Sequence, residues 1–354
     1  MPKTLSGIWP LIPPFENLLK GWENVNKGRK RFAPPILRYW SNLEANLSLL
    51  HDQLVSFTWT PKPLRCFAVH DPKYRIIQAP QVSDRVLHHA LMRHIIPAFE
   101  RRFRPESFAC RKNMGTHAAS ARTTAMVREA TARWQHPYVL QGDISNFFFS
   151  IVHEILLTRL GRVISDRNVM RLFEALVCET PGYQDRGLPL GAMTSQWLAN
   201  LYLDAFDHFV CDELAAPYYV RYMDDWVLIG PNKVWCRVML DQLTAYLDIL
   251  QLEVNPKTAI YPASHGIDFV GYRHWPTHTL PRKKTVKRAR RGFRTMQDLY
   301  ARGLIDLDYV RPRVGSFAGY LKHCDAHVTG EHIFENFVLC REGQKKEAQT
   351  ADKA

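Results

Sequence analysis

The chain has 354 residues, of which 46% are hydrophobic, so it can bury a sizeable core and is not globally disordered. Its 47 Lys and Arg residues outnumber its 34 Asp and Glu residues, and the net charge of +13 predicts a polyanionic partner. With no apolar run of transmembrane length, no secretory pattern at the N-terminus and seven Cys without paired spacing, we expect a cytoplasmic protein without membrane, zinc or disulfide chemistry.

The first part of the chain predicts two helices, over residues 17–25 and 43–54, from the spacing of their apolar residues. Between them lies the basic cluster 27–31, for which a solvated loop and a phosphate contact are both open. Residues 69–80 then predict a hairpin that turns at Asp71-Pro72. Lys73 and Arg75 alternate with Tyr74, so both project from one face of the return strand and could hold a triphosphate.

Residues 84–103 predict a helix with an apolar face and a face rich in His and Arg. The segment that follows, punctuated by Gly and Pro, carries Arg111 and Lys112, and residues 118–133 predict another helix. The basic side chains of this region are candidates for contact with a nucleic-acid backbone.

A short apolar strand over residues 138–140 leads to Asp143 and then to the aromatic run 147–149. We expect at least one of the three Phe residues to lie in the core. Residues 151–177 continue as two helical runs, and Asp166 between them is a plausible helix cap.

Residues 187–200 contain two glycines, Gly187 and Gly191, that permit a close approach of backbones. Thr194 or Ser195 can cap a long helix that runs to about residue 216. Leu190 and Gln196 lie in the same stretch.

Two further short strands, 218–223 and 226–230, flank Asp224-Asp225, which predicts a two-residue hairpin turn. On its own, an Asp pair in a turn most often is solvated. Here the apolar strands on both sides place the carboxylates at the end of a sheet, where a divalent cation could hold them together. Together with Asp143 they could bind two Mg²⁺ ions about 3.5–4 Å apart.

The last third of the chain predicts an amphipathic helix over 234–250, a segment 252–260 that contains Lys257, and a hairpin over 266–276 with Tyr272. Residues 282–294 hold eight Lys and Arg, a charge run that repels itself and that a phosphate backbone would stabilise. Further helices are expected to 340, and residues 341–354 have the composition of a disordered tail.

These motifs, in this order, resemble a reverse transcriptase. The resemblance rests on Tyr222-Met223-Asp224-Asp225, on Asp143 with Phe147-Phe148, and on the stretches 104–118, 187–200 and 252–260. It implies an α+β right-hand polymerase fold. The expected domains are an N-terminal extension with the start of the fingers (1–70), fingers (71–136), palm (137–276), thumb (277–340) and the tail (341–354).

The resemblance also implies roles for individual residues. Asp143, Asp224 and Asp225, with the Ile144 position, would bind two Mg²⁺ (Mn²⁺ being a possible substitute), and Lys257 would serve the leaving pyrophosphate. The nucleotide would be held by Lys73 and Arg75, with Phe148 under its sugar as a steric gate and Leu190, Gly191 and Gln196 beside it. Expected contacts to nucleic acid are Arg111, Lys112, Tyr222, Met223, Tyr272, Lys283, Lys284, Lys287, Arg288 and Arg291.

The stretch 190–196 departs from the usual Gln-Gly-x-x-x-Ser-Pro, with Leu190 for Gln and Gln196 for Pro. Enzymes of diversity-generating retroelements, bacterial or phage-encoded, show this form. The resemblance therefore implies a polymerase that copies a template RNA into cDNA with errors at adenines, and a basic accessory variability protein that forms a helical barrel. The alternatives are a retron, abortive-infection or group II intron type, and a catalytically idle RNA-binding scaffold. The lack of room after the thumb counts against the group II intron type.

Overall fold

The computed structural model describes residues 4–70 and 74–341. Lys73, the Asp71-Pro72 turn and nearly all of the predicted tail lie outside the described residues. Among the described residues no helix is long and apolar enough to cross a membrane.

Thirteen α-helices are present in the described residues, and they include every helix that the sequence predicts. They are α1 (Phe15–Val25), α2 (Pro34–Trp40), α3 (Leu43–Val55), α4 (Val82–Arg102), α5 (Thr116–Trp134), α6 (Phe147–Ser150), α7 (His153–Gly161), α8 (Arg167–Cys178), α9 (Met193–His208), α10 (Lys233–Ile249), α11 (Lys283–Ala301), α12 (Leu307–Leu321) and α13 (His327–Phe334).

The described strands form three sheets, and the two-stranded and three-stranded sheets are antiparallel. A two-stranded hairpin joins β1 (Arg65–Val69) to β2 (Arg75–Ala79), and a four-stranded sheet has the order β4-β5-β3-β6. A three-stranded sheet has the order β7-β8-β9. The remaining strand bounds are β3 (Tyr138–Gly142), β4 (Tyr219–Tyr222), β5 (Asp225–Gly230), β6 (Ala259–Pro262), β7 (Ile267–Phe269), β8 (Tyr272–His274) and β9 (Thr279–Pro281). The mixture of helices and sheets confirms the α+β class.

The chain packs as two compact units, Met1–Lys112 with Gln141–Val227 and Arg237–Ala259, and Asn113–Leu140 with Leu228–Cys236 and Ile260–Ala354. In the first unit, α9 has twelve buried residues and packs against α4 and α7. In the second unit, α11, α12 and α13 share a core centred on Phe293, Phe317 and Ile333. The predicted fingers, palm and thumb boundaries do not coincide with these packing units and stay predictions.

Two predicted helix caps have opposite outcomes. Asp166 caps α8, since its Oδ1 accepts from the backbone N–H groups of Asn168 and Val169. The prediction of Thr194 or Ser195 as the cap of α9 is wrong, because the N-cap position is Ala192 and both residues are buried inside the helix. The α-helix also ends at His208, where a π-helical turn over Phe209–Glu213 takes over before the predicted end near residue 216.

Candidate active site

The candidate site lies at the ends of the neighbouring strands β3 and β5, in the first unit. Asp143 follows the last residue of β3, and Asp224 precedes the first residue of β5. A Cβ at Gly142 would overlap the indole ring of Trp226, so a residue without a side chain is required at the end of β3. This close packing fixes the spacing between the two strands from which the carboxylates emerge.

The hairpin turn differs by one residue from the predicted Asp224-Asp225. The turn residues are Met223 and Asp224, and Asp225 is the exposed first residue of β5. Met223 has φ of +58°, a left-handed conformation that is unfavourable for a residue with a side chain. The sequence therefore offered no reason to expect Met223 in the turn. The structure thus places Asp224 at the tip and Asp225 on the strand.

The carboxyl groups of Asp143 and Asp224 lie close enough together to interact directly. Burial, and after it the negative charge of Asp143, raise the pKa of Asp224 to about 6, whereas the positive charge of Arg75 acts in the opposite direction. Two neighbouring carboxylates repel each other, and a cation between them relieves that repulsion. The pair is therefore a position that favours added positive charge.

Asn255 holds Asp143 in place, and sequence reasoning assigned it no role. Its Nδ2 donates to Asp143 Oδ2 at 3.1 Å and its backbone N–H to the Asp143 carbonyl at 2.8 Å. Asn255 Oδ1 in turn accepts from the backbone N–H of Lys257, whose side chain is exposed. The sequence marks only the segment 252–260 in which Asn255 lies, and the partner Asp143 is 112 residues away.

The divalent cation that reverse transcriptase chemistry implies fits this pair. Mg²⁺ takes oxygen ligands and commonly binds one or two carboxylates together with substrate phosphates and water. In residues 4–70 and 74–341 no group of three or more His, Cys, Asp or Glu side chains is placed to hold a metal. Asp143 and Asp224 would hold the ion, and Asp225 and the Ile144 position stay predicted ligands.

The strand β2 and the loop before α9 form a second part of the site. Arg75 is the exposed first residue of β2, and the Gln78 N–H donates to the Leu190 carbonyl at 2.7 Å. Gly191 has φ of +129°, and a Cβ there would lie 2.9 Å from Ile77 Cγ2. The expectation of a close approach at Gly191 is confirmed, and it places the half-buried Leu190 against this strand.

The aromatic run after Asp143 forms the short helix α6. Phe147 is buried, Phe148 is half-buried and Phe149 is exposed, so the expectation of at least one core Phe is confirmed. The Leu188 N–H donates to the Phe148 carbonyl at 2.7 Å, and a Cβ at Gly187 would lie 2.9 Å from the Tyr183 ring. Gln78 also accepts a hydrogen bond from the Tyr183 hydroxyl, so α6, this loop and β2 are joined.

Arg111 is placed differently from its prediction as a nucleic-acid contact. Its side chain is 6% exposed, because Nε pairs with Glu100 at 2.9 Å and Nη1 donates to the carbonyls of Arg104 and Ser107. The neighbouring Lys112 is exposed. Arg111 therefore stabilises the loop, and only Lys112 presents a cation to a partner from this pair.

Tyr272, another predicted nucleic-acid contact, is buried instead. It is 1% exposed, its ring stacks on Tyr320 with centroids 4.7 Å apart, and its hydroxyl donates to the Tyr320 carbonyl at 3.2 Å. The hairpin that was predicted for 266–276 is present as β7 and β8. Tyr272 belongs to the core of the second unit.

The basic run is the exposed face of α11. Val286, Ala289, Phe293 and Met296 point to the core of the second unit at helical spacing. The predicted contacts occupy the other face and are exposed: Lys283, Lys284, Lys287, Arg288 and Arg291. The helix thus presents a positive stripe on an amphipathic element.

Comparisons with known proteins agree with this arrangement. The model of the family "Reverse transcriptase (RNA-dependent DNA polymerase)" matches residues 64–274. Protein YkfC of Escherichia coli (strain K12) is 25% identical over 277 residues, which are 66% of this chain and 72% of YkfC. A putative COX1/OXI3 intron 1 protein of Saccharomyces cerevisiae is 24% identical over 177 residues, 47% of this chain and 20% of that protein.

Among solved structures, apo telomerase from Candida tropicalis, truncated from its C-terminal domain, aligns with a TM-score of 0.49 and 11% identity. The alignment covers 64% of this chain and 55% of the telomerase chain. The chain therefore spans about half of that structure and a fifth of the yeast relative. Because the family model covers more than half of the chain, the chain belongs to the reverse transcriptase family.

Proposed function

We propose that this chain makes cDNA from a template RNA by two-metal nucleotidyl transfer, with Asp143 and Asp224 at the reacting centre. The observation that carries the proposal is that these two carboxylates lie close together at the ends of the neighbouring strands β3 and β5. Asp143 and Asp224 would hold divalent cations, Mg²⁺ or Mn²⁺, which would lower the pKa of the primer hydroxyl and neutralise charge on the transferred phosphate.

The residues around the pair have supporting roles in this proposal. Asn255 fixes the orientation of the Asp143 carboxylate by its hydrogen bond to Oδ2. Arg75, whose charge already acts on Asp224, binds the triphosphate, and Lys73 is assigned the same role. Lys257, exposed on the loop that Asn255 organises, donates a proton to the leaving pyrophosphate or neutralises it.

Selection of the nucleotide is assigned to Phe148 and to the loop before α9. Phe148 is half-buried, so part of its ring is free to exclude a ribose 2′-hydroxyl. The Leu190 carbonyl accepts from Gln78, which fixes the backbone at this position, whereas the aliphatic side chain brings no hydrogen-bonding group to the base pair. Gln196, which follows Leu190 in the same stretch of sequence, is exposed on α9.

We assign the enzyme to the diversity-generating type on the basis of Leu190 and Gln196. A looser hold on the nascent base pair gives errors, concentrated opposite template adenines, and the resulting cDNA diversifies a target gene by mutagenic retrohoming. Such an enzyme works with template RNA, the RNA/cDNA duplex, dNTPs and a basic accessory variability protein. Retron and defence types remain the alternative within the family.

The test is primer extension on a generic RNA template with Mg²⁺ and four dNTPs, followed by sequencing, with Leu190→Gln beside the wild type. Errors concentrated opposite adenines, and fewer of them in Leu190→Gln, support the diversity-generating type. Leu304→Gln, at an exposed leucine of the second unit, is the matched control and should leave the error spectrum unchanged.

Evenly low error in the wild type would contradict the subtype and favour a retron or defence enzyme. No extension, even with the accessory protein supplied, would contradict the polymerase and leave an RNA-binding scaffold.

A further inference from the structure

A buried guanidinium lies directly beneath the turn that carries Asp224. Arg221 is 1% exposed, on β4, two residues before Met223. Within the described part of the chain each of its five N–H groups has an acceptor, in the planar fork geometry of Arg. The acceptors are Asp207 Oδ1 for Nε (2.6 Å), Asn200 Oδ1 and the Met223 carbonyl for Nη1 (3.2 and 2.8 Å), and Ser107 Oγ and Asp207 Oδ2 for Nη2 (2.9 and 2.6 Å).

The charge of Arg221 is balanced by Asp207, which is 0% exposed on α9 and pairs with it through two parallel hydrogen bonds. The Tyr219 hydroxyl also donates to Asp207 Oδ1 at 2.6 Å. A buried pair of this kind is weak evidence for stability, since well-packed apolar residues can replace it at little cost. The pair is therefore better explained by the groups that it positions than by a contribution to stability.

What it holds is the backbone of the catalytic turn. Met223 has φ of +58°, which costs conformational energy for a residue with a Cβ, and a surrounding contact has to maintain it. The Arg221 Nη1 donates to the Met223 carbonyl, the group bonded directly to the Asp224 nitrogen. The guanidinium thereby ties the turn to α9 through Asn200 and Asp207, and to the loop 106–109 through Ser107.

The neighbouring backbone strengthens this anchorage. The Arg221 N–H donates to the Glu106 carbonyl at 2.9 Å, and the Phe108 N–H donates to the Arg221 carbonyl at 3.0 Å. Asn200 Nδ2 donates to the Ala109 carbonyl at 2.8 Å, which orients its Oδ1 towards Arg221. The turn thus rests on a rigid polar cluster, a requirement for carboxylates that must keep their separation in a reacting site.

We propose that Arg221 is a positioning residue for nucleotidyl transfer, which sets the Asp224 carboxylate against Asp143 by holding the Met223 carbonyl. This inference rests on the proposed role of the two carboxylates in holding a divalent cation. Arg221 touches neither substrate nor cation and acts through the turn. Its substitution should therefore weaken the response to the cation more than the binding of primer and template.

The principal variant is Arg221→Lys, which keeps the charge but offers three donors that cannot reach all five acceptors in the plane of the fork. Loss of a residue that orients a metal ligand commonly costs about 10- to 100-fold in metal affinity or activity. We expect kcat to fall by about that factor and the Mg²⁺ concentration for half-maximal rate to rise severalfold, with unchanged affinity for primer–template.

Arg102→Lys is the matched control. Arg102 Nε pairs at 2.5 Å with Asp204, another buried carboxylate of α9, instead of with the turn. It should keep both kcat and the Mg²⁺ response.

A readout independent of turnover is Mn²⁺ binding, measured by electron paramagnetic resonance on the complex with a dideoxy-terminated primer and the next dNTP. Weaker Mn²⁺ binding in Arg221→Lys than in Arg102→Lys supports the inference. If Arg221→Lys does not fold, the double variant Arg221→Met/Asp207→Leu removes both charges together and should fold while still lacking the contact to Met223.

The outcomes separate the inference from the function on which it rests. An active Asp224→Asn enzyme contradicts the proposed function itself. If Asp224→Asn is inactive but the folded Arg221 variants match Arg102→Lys in kcat, Mg²⁺ response and Mn²⁺ binding, the positioning role is overturned and Arg221 only stabilises the fold.

Discussion

At the scale of single residues, the site depends on two carboxylates at the ends of packed strands and on a glycine at the point where two strands lie close to each other. Asp143 and Asp224 could be identified from the sequence, because each follows or precedes an apolar strand. Asn255 and Arg221 could not, since their acceptors lie far along the chain or on the backbone of the turn. Gly142 could be interpreted only once Trp226 was seen against it.

Gly142→Ala tests this packing. The new methyl group would overlap the Trp226 indole, so we expect the free energy of unfolding to fall by about 1–3 kcal/mol. Urea unfolding followed by circular dichroism measures it. Gly161→Ala, at the end of α7 where an added Cβ meets no described atom within 4 Å, should leave stability unchanged or raise it by up to about 1 kcal/mol. Equal effects of the two substitutions would contradict the packing argument.

His88 gives a pH dependence with a defined sign. It is buried on α4 beside Thr194, and burial, with smaller contributions from the charges of His89 and Arg85, lowers its pKa to about 3. Between pH 6.5 and pH 3 the unfolded chain binds more protons at this residue than the folded chain, so stability falls as the pH falls. From pH 7 to pH 5 the loss should be about 2 kcal/mol.

The measurement is urea unfolding at both pH values for the wild type and for His88→Gln. The variant should show a smaller loss of stability between pH 7 and pH 5, whatever its stability at pH 7. An identical pH dependence would show that folding does not lower the pKa of His88.

At the scale of elements, the periodic helices were the most predictable part of the fold. The basic run predicted a charged segment, and the structure adds that Phe293 and Met296 pack in the core while the Lys and Arg residues lie on the exposed face of α11. Boundaries that depend on a single unfavourable conformation were not predictable, as at Met223, where the turn lies one residue earlier than the Asp pair suggests. Arg111 and Tyr272 fit a nucleic-acid interpretation by residue type, and only their partners Glu100 and Tyr320 reveal that they are buried.

The exposed face of α11 should bind phosphates, and salt dependence measures how many. Each lost phosphate contact reduces the magnitude of the slope of log affinity against log salt concentration by about 0.9 for a B-form duplex. For Lys287→Ala/Arg291→Ala, one turn apart on this face, we expect the slope to fall by about 2 and affinity to weaken on every sequence alike. Fluorescence anisotropy with a labelled RNA/DNA duplex from 50 to 300 mM salt provides the data.

Lys322→Ala, at an exposed lysine after α12, is the control for a general change in charge. A slope change for the double variant no larger than that of this control would exclude α11 as a phosphate-binding face.

At the scale of the whole molecule, the net charge of +13 and the order of the motifs predicted a nucleic-acid polymerase, and the family match confirms the reverse transcriptase assignment. The packing units could not be foreseen, because they are set by contacts between segments far apart in the chain rather than by composition. The function proposed for the molecule therefore comes back to one pair of carboxylates and to the elements that hold them.

The most direct test of that claim is single-nucleotide primer extension with Mg²⁺ by Asp224→Asn, with Asp241→Asn on the exposed face of α10 as the matched control. Primer–template affinity is measured in parallel by fluorescence anisotropy. The account predicts that Asp224→Asn loses extension by about 10³-fold or more, that its affinity for primer–template is retained, and that Asp241→Asn behaves as the wild type. Extension at the wild-type rate by a folded Asp224→Asn protein would contradict it.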